Sequence, residues 1–236
     1  MTGDRGRPGR TTSLMAAAAV GAMALASCSG GGDLPDGAEL LRRAARQMRG
    51  VESIEFDLEV EGRTGALSIR RAGGMVAATG EGQGTVSLDP SGQLLEYRVV
   101  IAGGSYFIKG PTGGWIELSR EQGAALYDPA RFLDPDRGFV VLLERAGEAE
   151  TERAEPVDGR DAYLVAAEVD TALVADLLPL EPGQERLPAE LWVGADPPYL
   201  RRVRMTVEVA GEAEPTTLDL TMHAFDVPAD VVPPED

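Results

Sequence analysis

Residues 53–62 read SIEFDLEVEG, so that Ile54, Phe56, Leu58 and Val60 alternate with Glu55, Asp57, Glu59 and Glu61. Successive side chains of a strand point to opposite faces, which makes this segment a strand with one dry face and one charged, wet face. A strand of that kind belongs in an antiparallel sheet that is solvated on one side and must bury the other. The pattern recurs. Candidate strands follow at 64–71, 75–80, 83–89, 93–102, 105–109 and 114–118, separated by Gly-rich or Asp-Pro-Ser-Gly turns, and they read as an antiparallel meander. Strand character returns at 161–169, 188–194, 198–209 and 216–226. In the last two, Leu200, Val203, Met205, Val207 and Val209 match Leu218, Leu220, Met222 and Ala224 across one face.

Helices fill the gaps. A first helix fits 36–49, with Asp36 and Glu39 as a capping box, Gly50 just past its end, and an apolar stripe of Ala38, Leu41, Ala45 and Met48. Asp128-Pro129 and Asp134-Pro135 each place a capping Asp before a proline at the first helical position. The second pair is expected to open a helix running to about Arg145, with Phe139, Leu142, Leu143 and Ala146 on one face. A short helix at 171–178 stops at Pro179, and the acidic run 148–152 (EAETE) reads as a solvated stretch. The fold class is α+β: a long, strongly curved antiparallel sheet, a half-barrel, wrapped around a few helices on its apolar face.

The N-terminus is a separate matter. Arg5, Arg7 and Arg10 precede the uncharged apolar run 14–26 (LMAAAAVGAMALA), and Leu25-Ala26-Ser27-Cys28 looks like a bacterial lipobox. The apolar run is shorter than the roughly 20 residues a permanent membrane-spanning helix needs. The expected organisation is a lipoprotein signal peptide at 1–27, a lipidated flexible tether at 28–36, one domain at 37–228 and a C-terminal tail at 229–236. Cys28 is the only cysteine, so its thiol is the lipidation site and the folded domain has no disulfide to rely on. The expected location is the outer face of the plasma membrane in the cell envelope. A formal charge of −17, more acidic still once the signal peptide is removed, argues against nucleic acid as a partner.

The chemistry is thin. His223 is the single histidine and falls at the polar phase of a strand. No second His and no free Cys exist to build a nucleophile pair or a zinc site, and the serines lack GxSxG or SxxK surroundings. The carboxylates fall on outward strand positions or at caps. Neither an enzyme nor a metal or cofactor site is expected. What remains is a wide apolar sheet with only 5% aromatic residues to fill it; such alternation suits an ordinary filled core, whereas a curved sheet closed over helices without bulky side chains between them would leave a dry cavity for an apolar ligand.

A family pattern runs through the middle and end of the chain. Tyr106-Phe107-Ile108-Lys109, Gly113-Gly114-Trp115, Tyr127-Asp128-Pro129 and 133–138 (LDPDRG) occur in order, followed by Val157-Asp158-Gly159, 187–193 (LPAELWV) and Leu200-Arg201-Arg202-Val203. These resemble the LppX/LprG-type lipoproteins of mycobacteria and related actinobacteria. The resemblance implies a LolA/LolB-like half-barrel whose cavity takes the acyl chains of an envelope lipid or glycolipid, together with a membrane lipid exporter as a partner. Mapped onto this chain, the implied pocket is Phe56, Leu58, Val60, Val99, Ile101, Tyr106 and Ile108 from strands, with Phe139, Leu142 and Leu143 from the helix. A filled core would instead suit a structural adaptor of an envelope complex.

Overall fold

The computed structural model describes residues 34–62, 69–90, 92–177, 184–208 and 214–235. The signal segment, Cys28, most of the tether, the first half of the strand expected at 64–71, the Pro179 stop and Val209 lie outside the described residues.

Eleven antiparallel strands form one sheet. The first six are β1 (Ser53–Glu61), β2 (Ile69–Ala77), β3 (Gly82–Leu88), β4 (Leu95–Ala102), β5 (Ser105–Lys109) and β6 (Ile116–Ser119). The other five are β7 (Gly147–Ala154), β8 (Ala162–Asp170), β9 (Arg186–Gly194), β10 (Leu200–Val207) and β11 (Thr216–Phe225). Neighbouring strands are consecutive in sequence except at the β1–β11 pair, and β6 and β7 are the two free edges. The chain thus runs out from the centre to one edge, crosses by way of helices to the other edge, and returns to the centre. The helices are α1 (Gly37–Met48), α2 (Arg120–Leu126), a 3-10 helix (Pro129–Leu133), α3 (Phe139–Arg145) and α4 (Thr171–Leu177).

Local sequence explains most of this. Ile54, Phe56, Leu58 and Val60 of β1 are buried while Glu55, Asp57, Glu59 and Glu61 are exposed, as the alternation requires. Asp36 caps α1 by accepting the Glu39 N–H at 2.8 Å. The helix buries Leu40, Leu41, Ala44, Ala45 and Met48, and Ala38 is only half-buried. On β10, Leu200 shares a face with Val203, Met205 and Val207 because a bulge between Leu200 and Arg202 absorbs the change of phase.

Three expectations need correction. The described end of the strand placed at 64–71 and the start of the one placed at 75–80 are one strand, β2, which runs through Gly73-Gly74 without turning. Asp134 does not open α3: it ends the 3-10 helix, its carboxylate accepts the Asp136 N–H at 2.9 Å, and α3 starts after Gly138. A carboxylate that satisfies its own turn in this way competes with helix capping. Lastly, 148–152 is part of edge strand β7, with Glu148, Glu150 and Glu152 exposed and Ala149 and Thr151 half-buried. Charged residues on an edge strand discourage pairing with another chain. Helix α2 had no counterpart in the sequence reading, although Ser119 and Gln122 form a reciprocal capping box at its start.

The helices divide the concave face unevenly. α1 packs on α3 and reaches β7, β9 and β10, while α3 and α4 lie against β8. The β7–β11 half is therefore filled. Among the described residues the β2–β6 half is met chiefly by α2 and the 3-10 helix.

The convex face carries a polar layer that joins distant segments. Asp219 of β11 accepts from Arg202 Nε at 2.7 Å and Arg204 Nε at 2.9 Å. Both guanidinium groups lie over the buried Trp192 ring, 4.9 Å and 5.8 Å from its centroid. Burial opposes the charge on Asp219, yet these hydrogen bonds hold its carboxyl below the usual range. His223 sits between Asp158 (Nδ1, 2.7 Å) and Asp57 (Nε2, 2.9 Å). Asp158 belongs to the two-residue Asp-Gly turn between β7 and β8, where both residues have positive φ, 50° and 71°.

Desolvation disfavours the His223 cation, but the two aspartates outweigh it and raise its pKa above the ordinary value. A raised folded-state pKa contributes stability that is complete below the unfolded value of about 6.5 and fades as pH climbs through the folded value. His223→Ala is therefore expected to destabilise the protein more at about pH 5.5 than at about pH 8.5, read as the wild-type minus variant difference in urea unfolding. An equal difference at both pH values would show that the pair of aspartates does not hold a charged ring.

Candidate functional site

The uneven packing leaves a cavity of about 380 Å³ under the first half of the sheet. Phe56 and Leu58 of β1 and Val99, Ile101, Tyr106 and Ile108 of β4 and β5 form much of its wall. Opposite them stand Gly123 and Leu126 of α2, then Tyr127, Pro129 and Phe132. Among the described residues no Asp, Glu, Lys, Arg or His lines it. The size is within the roughly 300–1,000 Å³ common for small-molecule sites.

Its far wall is aromatic. The Phe132 ring is buried, meets Phe56 edge-on at 5.4 Å and stacks on Phe139 at 5.2 Å. Tyr127 packs edge-on against Phe132 at 6.2 Å. This layer separates the cavity from the packed core, so Phe139 supports the wall from behind without touching the space. Thr85, Tyr97, Tyr106 and Tyr127 bring hydroxyl groups to the lining, and the last two are hydrogen-bonded. Tyr127 donates to the Leu177 carbonyl at 3.0 Å, and Tyr106 donates to the Asp128 carboxylate. Burial, then the nearby Asp128 charge, pushes the Tyr106 hydroxyl up to about 12, and burial raises Tyr127 as well.

Glycine creates much of the room. Gly73 and Gly74 of β2 pair with Thr85 and Gly84 of β3, and all four residues border the cavity. A Cβ on Gly84 would fall 2.2 Å from the Gly73 carbonyl oxygen, and one on Gly74 2.1 Å from that of Gln83. Gly74 also has φ of 149°. The two strands therefore approach in a geometry that only glycine permits.

Of the expected pocket residues, Phe56, Leu58, Val99, Ile101, Tyr106 and Ile108 line the cavity. Val60, Phe139, Leu142 and Leu143 do not: all four are buried in the main core. The helix assignment failed because α3 turns its apolar face toward α1 and β8, in the filled half. Periodicity identifies an apolar face but not the half of the sheet it meets. The contributions of β2, β3, α2 and the 3-10 helix were missed. The Gly-Gly pair and the run 82–84 (GQG) were the available signal, since two facing glycine clusters in paired strands mark a close backbone approach.

Among the described residues no three His, Cys, Asp or Glu side chains converge as metal ligands, and His223 with its aspartates is on strand positions outside the cavity.

The profile of the LppX_LprAFG lipoprotein family matches residues 36–231. The chain belongs to this family. Its relatives include the lipoarabinomannan carrier protein LprG of Mycobacterium bovis (strain BCG / Pasteur 1173P2), 25% identical over 190 residues, covering 78% of this chain and 80% of the relative. LprG of Mycolicibacterium smegmatis is 28% identical over 193 residues, with 78% and 81% covered. Among solved structures, LprF from Mycobacterium bovis superposes with a TM-score of 0.70 at 18% identity, covering 85% of this chain and 97% of that one. LppX of Mycobacterium tuberculosis superposes with a TM-score of 0.60 at 19% identity, covering 83% and 97%. The family and its curved antiparallel half-barrel are thus the ones the sequence motifs implied.

Within this family member the cavity wall depends on a close contact between Gly123 and Tyr106. A Cβ at Gly123 would fall 2.1 Å from the tyrosine ring. Gly123→Ala is expected to lose about 1–3 kcal/mol in urea unfolding through overpacking, despite the better helix propensity of alanine. A gain in stability would mean that α2 can slide away from β5.

Proposed function

We propose that the protein is a carrier that takes the acyl chains of an envelope lipid or glycolipid into the cavity beneath β1–β5. In this reading it is exported, tethered by a diacylglycerol group on Cys28 to the outer face of the plasma membrane, and works with a membrane lipid exporter. The observation that carries the reading is the cavity lining: mostly apolar side chains and glycine backbone, with Gln83, Thr85 and three tyrosines as its polar members and, among the described residues, no charged group. Relatives named lipoarabinomannan carrier proteins support it.

The physical need for a carrier is plain. An acyl chain with about 14 buried methylenes costs roughly 11 kcal/mol to expose to water at about 0.8 kcal/mol each. A protein lowers that barrier only by offering other apolar surroundings. Such contacts recognise the chain by its dryness and not by directed bonds, which suits a wall of Leu, Ile, Val and Phe. The lipid on Cys28 has a different task. Two acyl chains hold a protein stably to a bilayer, and among the described residues no helix is long and apolar enough to cross one.

The test is to purify the full chain from an actinobacterial host, extract it with organic solvent and identify the extract by mass spectrometry. Acylated lipid in stoichiometric amount is the expected result; an empty extract together with no uptake of a fluorescent fatty acid would favour the adaptor alternative. Val99 is half-buried on β4 and lines the cavity, so Val99→Phe should fill space without unfolding the sheet. Fatty-acid affinity is expected to fall about tenfold or more, a loss of about 1.4 kcal/mol, with the melting temperature unchanged or higher. Unaltered affinity would place the ligand elsewhere.

A further inference from the structure

The solvent side of α1 is basic in a chain that is otherwise acidic. The sequence holds 39 acidic residues against 22 Lys and Arg, yet four arginines fall within positions 42–49, and no carboxylate falls within 40–51. Burial of Leu40, Leu41, Ala44, Ala45 and Met48 turns Arg42, Arg43, Arg46 and Arg49 outward. At about 100° per residue, Arg42, Arg46 and Arg49 form one stripe and Arg43 flanks it. Helix α3 packs on α1, and its exposed Arg145 adds to the same basic surface.

The counter-charges are few. Arg42 and Arg46 share Glu39, at 2.9 Å and 3.4 Å, and Arg49 pairs with Glu144 of α3. Exposed pairs of this kind are weak and exchange readily with other partners. Arg43 and Arg145 form no ion pair among the described residues. Asp36 lies at one end of the helix and Glu52 past the other, so the five arginines still outnumber the carboxylates beside them. The convex face, which looks the other way, exposes Glu55, Asp57, Glu59 and Glu61 of β1.

The place of α1 in the chain gives this surface a neighbour. Its cap, Asp36, follows Cys28 by eight residues. A fully extended chain spans about 3.5 Å per residue, so the cap stands within about 28 Å of Cys28. The helix itself is about 18 Å long. Leu34, just ahead of it, is an exposed apolar side chain.

We infer that the arginine side of α1, together with Arg145, docks on the surface of an anionic phospholipid bilayer and so orients the anchored domain with α1 along the membrane. The inference rests on the Cys28 anchor proposed above: the lipid supplies the attachment, and the arginines choose among orientations. Each arginine brought to an anionic surface favours the docked orientation by about fivefold. The attraction acts within a Debye length of about 8–10 Å, so the nearest side chains decide it. Repulsion of the acidic convex face favours the same orientation. An acidic protein would match these charges equally well, but the reach of the tether puts a bilayer beside them. The acyl cavity lies on the concave side of the sheet, as α1 does, so docking turns that side toward the bilayer.

The test places the full processed chain, purified in a nonionic detergent, on vesicles of phosphatidylcholine with or without phosphatidylglycerol. An environment-sensitive fluorophore is attached at Gly50→Cys, where a Cβ meets nothing within 4 Å, or at Thr206→Cys on the exposed convex side. The Gly50 emission is expected to shift to the blue only when phosphatidylglycerol is present, and the shift should fade as salt rises. The Thr206 emission should stay as it is in detergent. Arg43→Gln/Arg145→Gln leaves no carboxylate without its partner and should lower the ratio of docked to undocked protein about tenfold or more, at an unchanged melting temperature. A chain that stays on both kinds of vesicle with the same Gly50 emission, or a shift that survives the double substitution, overturns the orientation and leaves the anchor intact. A Gly50 label that ignores phosphatidylglycerol but is shielded on native membrane vesicles assigns the surface to a membrane protein, which also overturns it. A chain that leaves both kinds of vesicle, or that takes up fluorophore at Cys28, overturns the anchor and the inference with it.

Discussion

Leu58 of β1 faces Leu220 of β11, and Leu220 in turn faces Val203 of β10. This line of buried side chains crosses the seam where the first strand of the chain meets the last. Every other neighbouring pair in the sheet is consecutive in sequence and could form locally. The β1–β11 pair alone brings together segments more than 150 residues apart, and it converts two meanders into one curved surface. Closing so long a loop is entropically slow and is compensated only when the apolar faces on both sides are buried together. Without it the convex-face contacts of Asp57 with His223, and the packing of α1 across β9 and β10, have no common frame.

Given that frame, the division of the concave face decides what the molecule can hold. α1 and α3 pack on each other and on the second half of the sheet, and their Leu, Val and Ala side chains leave it filled. Among the described residues the first half receives chiefly the seven-residue α2 and the five-residue 3-10 helix, which are too short to cover five strands. Gly74, Gly82 and Gly84, paired with the cavity-lining Phe56, Ile101 and Val99, then place no side chain in the gap. The aromatic layer of Phe56, Phe132 and Phe139 marks the boundary between the two regimes. The result is a stable core and an unfilled cavity within one sheet, each made possible by the other. A cavity lined entirely by mobile elements would collapse, because dispersion contacts reward closure.

Tyr106 stands where apolar and polar spaces touch. Its ring is pressed between the cavity and Gly123, and its hydroxyl turns outward to Asp128. The same aspartate caps the 3-10 helix that carries Phe132 into the wall. One short segment, from Tyr127 to Phe132, therefore sets both the shape of the cavity and the polar bond at its rim. This is why the Tyr-Asp-Pro triplet at 127–129 carries more structural consequence than its length suggests.

The sequence alone determined the elements whose physics is local. The alternation of β1 specified its wet and dry faces, and Asp36 and Asp128 announced their caps. The order of short motifs pointed to the family, and strand phase placed Phe56, Leu58, Val99, Ile101, Tyr106 and Ile108 on the cavity side. Tertiary structure decided what depends on partners distant in the chain. Phe139, Leu142 and Leu143 were legible as an apolar helix face, but which half of the sheet they meet follows from α1 arriving first on that side. Gly73-Gly74 looked like a turn and became the middle of a strand, because a facing glycine on β3 lets the backbones approach. Val60 has the right phase and still misses the cavity, since phase fixes a face and not a position along it. His223 read as a bland surface residue, and only folding set it between Asp57 and Asp158 from distant segments of the chain. Periodicity is a property of neighbours in sequence; empty space is a property of what long-range packing fails to fill.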